Sequence, residues 1–77
     1  MIIKLNQKIE NIGFPKRTKN GNFVFHVFME NGDIALWFDK EPETTLKEGQ
    51  TISYQLIDKN YWNPILKLYK PKQTLNK

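Results

Sequence analysis

The stretch Asn22–Asp39, NFVFHVFMENGDIALWFD, decides how this chain folds. Its two halves are rich in β-branched and aromatic residues, which suit a pleated surface, and Asn31-Gly32 stands between them. Asn-Gly between apolar runs is a strong short-range hairpin signal, because a two-residue type I′ turn needs positive φ at both central positions. On that reading Met29 faces Ile34, Val27 faces Leu36 and Phe25 faces Phe38, and these six make one apolar face. The opposite face pairs Phe28 with Ala35, His26 with Trp37 and Val24 with Asp39.

A second Asn-Gly, Asn20-Gly21, extends the pattern backwards. Treated the same way, it sets Phe14 opposite Val27 and Ile12 opposite Met29, on the same apolar face. The two turns therefore agree on a three-stranded meander. Gly13 and Pro15 near the end of the first strand predict a bulge or sharp bend, which shifts the register further back along that strand.

Five strands are expected in all, over residues 3–15, 22–30, 33–39, 50–58 and 64–70. The connector KEPETTLKEG is too short for a substantial helix; one turn at Thr44–Lys47, closed by Gly49, would let Leu46 anchor it to the core. Tyr54 shares parity with Ile52 and Leu56 and is expected inside. The expected organisation is one domain over residues 1–70 and a polar tail, PKQTLNK, over 71–77.

Composition narrows the function. A chain of 77 residues has a small core and a correspondingly modest stability. With no cysteine and one histidine, disulfides and thiolate metal sites are out of reach, and no metal or other cofactor is expected. The net charge of +4 permits a polyanionic partner without demanding one. No apolar run reaches the roughly 18 residues of a membrane span, and MIIKLNQK lacks a signal-peptide pattern, so an intracellular, cytoplasmic location away from membranes is expected. The cations are eleven Lys and Arg17 alone, which offers point charges more than forked contacts. Catalysis is not expected: the lone His26 has no identifiable nucleophile partner, and no Gly-rich phosphate loop occurs.

Two features ask for a ligand. The face carrying His26, Phe28 and Trp37, flanked by Val24 and Arg17, is aromatic where a solvent face would carry Lys, Glu, Thr and Ser. Either a second layer or second subunit covers it, or it binds something. The other feature is DKNYWNP, residues 58–64, a run of turn formers with Tyr61 and Trp62 side by side at its centre. A short loop has little core in which to bury both; one of them folded back as a lid is the structural alternative to ligand contact.

The order of elements resembles an OB-fold: a long bent first strand, a tight hairpin, a third strand, a variable connector, then a fourth and fifth strand. LKEGQTISYQL is similar to the Leu-x-x-Gly lead-in to the fourth strand of bacterial single-stranded DNA-binding proteins. The resemblance covers most of residues 5–70, and it is a pattern that SH3-like barrels share in part. It implies an all-β, five-stranded OB-like Greek-key barrel whose ligand face is the second and third strands, rimmed by the loops PKRTKNGN and DKNYWNP. The implied nucleic-acid-binding residues are Lys16, Arg17, Lys19, His26, Phe28, Trp37, Lys59, Tyr61 and Trp62. Aromatic rings would stack on bases and the cations would neutralise phosphates.

The expected function is therefore non-catalytic binding of single-stranded nucleic acid, DNA by analogy, in replication or recombination, as in a small protein of a bacterium, phage or mobile element. Single-stranded nucleic acid is the expected partner, with a homodimer or other replication proteins as further ones. The alternative is a small protein-interaction module or inhibitor that uses the aromatic face to bind a protein.

Overall fold

The computed structural model describes residues 2–59 and 61–70. The expected tail, 71–77, lies outside the described residues. Six strands form in order: β1 (Ile2–Ile12), β2 (Lys16–Arg17), β3 (Phe23–Met29), β4 (Ile34–Asp39), β5 (Thr51–Ile57) and β6 (Ile65–Leu68). β1 and the two-residue β2 are the expected long first strand, interrupted where Gly13 and Pro15 stand.

Both Asn-Gly turns form hairpin bends, and both hold one residue more than expected. At the β3–β4 tip the Met29 amide donates to the Asp33 carbonyl at 2.9 Å, and Gly32 N–H donates to the Met29 carbonyl at 3.0 Å. The loop is thus Glu30-Asn31-Gly32. Gly32 has φ 98, whereas Asn31 is not in the positive-φ region that type I′ requires. This is the three-residue loop in which a type I turn is followed by a left-handed Gly. Asn31 instead uses its side chain: Oδ1 accepts from Asp33 N–H at 2.8 Å and Nδ2 donates to the Tyr54 hydroxyl at 3.0 Å. The second turn repeats the device. Thr18 N–H donates to the Asn22 carbonyl at 2.8 Å, and Gly21 has φ 84.

The extra residue corrects the expected register by one. Val27 pairs with Ala35, Phe25 with Trp37, His26 with Leu36, Val24 with Phe38 and Phe28 with Ile34. A one-residue slip exchanges the faces of a strand relative to its neighbour. Trp37 therefore lies on the core side with Ala35, and Leu36 and Phe38 lie outside with His26 and Val24. The β1 register is corrected as well. Ile12 pairs with Val27 and Ile9 with Met29, with an irregularity between Ile9 and Asn11. Phe14, expected opposite Val27, is instead 92% exposed.

The strands close a ring. β1 pairs with β5, β5 with β6, β6 with β4, β4 with β3 and β3 with β1. The β4–β6 seam is parallel and short, one pair at Leu36 and Ile65, reinforced by Leu36 N–H donating to the Pro64 carbonyl at 2.8 Å. Consecutive hairpins and one parallel closure make the five-stranded, OB-like Greek-key barrel expected from the element order. Closure removes most of the exposed edge that a small sheet would otherwise present.

The core comprises Ile9, Val27, Met29, Ala35, Leu46, Ile52, Tyr54, Leu56 and Leu66, with Ile12 and Trp37 packed against it. Leu46 and Tyr54 are inside, as expected. The expected helical turn at Thr44–Lys47 does not form. Its donors are met locally instead: Leu46 N–H donates to Thr44 Oγ1 at 3.0 Å and Lys47 N–H to Gln50 Oε1 at 2.9 Å. The connector is then stitched to β1, with Gly49 N–H donating to the Ile9 carbonyl and Ile9 N–H to the Gln50 carbonyl.

Tyr54 brings a hydroxyl to the edge of this core and finds partners for it. It donates to Asp33 Oδ2 at 2.6 Å, and Lys4 Nζ lies 3.3 Å from the same oxygen. Burial works against ionisation of Asp33, but the bonds from Tyr54, Lys4 and Asn31 outweigh it and hold the carboxyl below its ordinary 3.8. Burial first, and the adjacent Asp33 second, push the Tyr54 hydroxyl up to about 12.

Candidate nucleic-acid interface

The outer face of β3 and β4 follows from the corrected register. It carries Val24, His26 and Phe28 on one strand and Ile34, Leu36 and Phe38 on the other. Two of these, Leu36 and Val24, are buried, at 1% and 7% exposure, although they point away from the barrel core. Something packs on them, and the loop 58–64 is adjacent. Its end lies against Leu36 through the Pro64 hydrogen bond, and its two aromatic rings rest on the neighbours of Leu36.

Trp62 lies over His26, with ring centroids 6.1 Å apart and planes inclined at 29°. Its indole Nε1–H donates to His26 Nε2 at 3.2 Å. His26 in turn stacks beside Phe28, 6.5 Å away at 24°. Phe28, His26 and Trp62 thus form a row of nearly parallel rings. Tyr61 packs on Phe38 at 5.8 Å, tilted by 49°. These separations are in the range where aromatic pairs attract beyond simple burial.

The loop rings are seated but not enclosed. Trp62 stays 70% exposed and Tyr61 48%. Each ring leans on the barrel with one side and leaves surface open to solvent. Tyr61 and Phe38 line a groove of about 520 Å³ together with Thr18, Lys19, Asn20 and Asn22 of the turn and with Ile65.

Lys16, Arg17, Lys19 and Lys59 are all exposed. Lys16 pairs with Val24, so it shares the outer face, and Arg17 pairs with Phe23. Among the described residues the ion pairs are Lys4–Asp33 and Lys8–Glu30, and neither engages these four cations.

Of the nine expected site residues, His26, Phe28 and Trp62 come together in ring contacts, Tyr61 packs separately on Phe38, Lys16 pairs with Val24 on the same face and Lys19 lines the groove beside Tyr61. Arg17 and Lys59 are exposed in the two rim segments. Trp37 does not join. It packs against the core, and its Nε1–H donates to Asp39 Oδ2 at 3.2 Å. Phe38 occupies the outer position that Trp37 was expected to fill. The sequence offered no signal to choose between them, because Ile34-Ala35-Leu36-Trp37-Phe38 is apolar at every position and alternation cannot tell its faces apart.

Comparison with protein-family models, with curated proteins and with solved structures gives no match.

Proposed function

We propose that this barrel binds single-stranded nucleic acid without catalysis. The observation that carries the reading is the row of half-open rings, Phe28–His26–Trp62 with Tyr61 on Phe38, bordered by cations that no carboxylate neutralises among the described residues. Single strands expose flat base faces, and stacking on aromatic rings contributes about 1–3 kcal/mol per base with little sequence preference. Lys16, Arg17, Lys19 and Lys59 supply the phosphate contacts, which release counterions and make affinity fall with salt. Trp62 and Tyr61 offer the outermost ring surfaces and meet the bases first. DNA is the ligand favoured by the OB resemblance, with a role in replication or recombination. A single OB barrel covers only about 4–16 nucleotides, so a homodimer or cooperative binding along the strand would extend the site.

Salt tests this. A labelled oligothymidylate followed by anisotropy should bind at low ionic strength and lose affinity log-linearly as salt rises. Lys16→Glu, Arg17→Glu and Lys19→Glu together should abolish binding while the fold persists.

One observation favours a protein partner instead. Ile34 is an exposed apolar side chain on the same face, and it adds no hydrogen-bonding capacity. An apolar protein interface would survive the triple charge reversal and vary little with salt, so the same experiment separates the two.

A further inference from the structure

Phe14 is the most exposed large apolar side chain among the described residues. Single exposed apolar residues are common on protein surfaces and need no function. Phe14 differs in how it is held. On its N-terminal side, Gly13 N–H donates to the His26 carbonyl at 2.8 Å. On its C-terminal side, Pro15 fixes its own φ, and Lys16 and Arg17 then pair with Val24 and Phe23 of β3. The backbone is pinned to β3 before and after the one side chain that projects from it.

The place where it is pinned matters more. Gly13 passes close beside the middle of the ring row: a Cβ there would stand 3.6 Å from His26 Cβ and 4.0 Å from Phe28 Cε2. The row that begins at Trp62 and runs through His26 to Phe28 therefore abuts the segment from which Phe14 projects. Two exposed cations, Lys16 and Arg17, follow within three residues. A ring presented to solvent by fixed backbone, beside an aromatic row and next to exposed cations, has the properties of a stacking platform.

We infer that Phe14 is a base-stacking residue on the β1–β2 side of β3, across that strand from the loop that carries Trp62, engaging a base further along the bound strand while Lys16 and Arg17 hold the adjoining phosphates. This rests on the strand-binding function proposed above. It makes the site longer than the rings in mutual contact, and it gives short and long ligands different dependences on Phe14.

The test is binding of short and long oligothymidylates to the wild-type chain, to Phe14→Ala and to Phe14→Trp. The side chain is so exposed that its truncation should leave the fold intact, which thermal unfolding checks. With a long oligothymidylate, Phe14→Ala should bind roughly five-fold or more weakly, and Phe14→Trp should bind as well as wild type. With the shortest oligothymidylate that binds at all, the three should be alike. The salt dependence should be unchanged in Phe14→Ala, because no charge is lost. In a Trp37→Phe, Trp62→Tyr background, the indole of Phe14→Trp should be quenched by the long ligand. Wild-type binding with an unaffected Phe14→Ala and an unquenched indole would overturn the assignment and leave the strand-binding function standing. An equal loss at every length, or an altered salt slope, would also overturn it, by showing damage to the site as a whole. Failure of the wild type to bind any oligothymidylate would remove both.

Discussion

At the residue scale, the group that links core to surface chemistry is Tyr54. Its ring is buried, and its hydroxyl completes a small network with Asp33, Asn31 and Lys4. Tyr54→Phe keeps the ring and removes the bond to a charged acceptor, so it should cost about 1.5–3 kcal/mol at neutral pH. The cost should shrink in acid. The folded Asp33 carboxyl ionises below its ordinary 3.8, so its contribution is complete above that value and is lost as pH falls through the lower folded one. On the alkaline side the sign reverses. The folded Tyr54 hydroxyl keeps its proton to about 12 against an ordinary 10.0, so stability holds below pH 10.0 and declines between the two values. Denaturant unfolding of wild type and Tyr54→Phe across pH checks both limbs; a pH-independent difference would show that the network does not couple to ionisation.

At the element scale, the two hairpin loops and the connector 40–50 set the geometry. Gly32 holds φ 98 with nothing within 4 Å of where a Cβ would sit, so Gly32→Ala meets backbone strain alone. The expected loss is about 1–2 kcal/mol, measured by thermal unfolding. Leu46 is the connector's one buried anchor in the core, and Leu46→Ala should cost about 2–5 kcal/mol, enough to unfold a large fraction of so small a domain. The strands, the bend at Gly13 and the core positions of Leu46 and Tyr54 were legible in the sequence, because turn residues and apolar runs mark them directly; closure of the strands into a ring was an expectation from the resemblance alone. The loop length was not. Asn-Gly serves a two-residue loop and the last two positions of a three-residue loop equally well, and only the backbone at Asn31 separates them. That single ambiguity moved Trp37 off the candidate face and Phe38 onto it. A similar ambiguity at Asn20-Gly21, together with the irregularity in β1, moved Phe14 from the core to the surface.

At the scale of the whole molecule, ring closure turns one face of a five-stranded sheet inward and leaves β3 and β4 an outer face that the loop 58–64 only partly covers. Trp62 is seated on His26 and Tyr61 on Phe38, and the chain's net charge of +4 permits an anionic partner. On the proposed function, these seated, half-open rings receive bases. With Trp37 held against the core, Trp62 is the tryptophan placed to report contact. The most direct measurement is the fluorescence of a Trp37→Phe variant during titration with an oligothymidylate at low and at moderate salt. Strand binding predicts saturable quenching that weakens as salt rises. Unchanged emission from a folded protein at low salt would contradict it and assign the aromatic face to a protein partner.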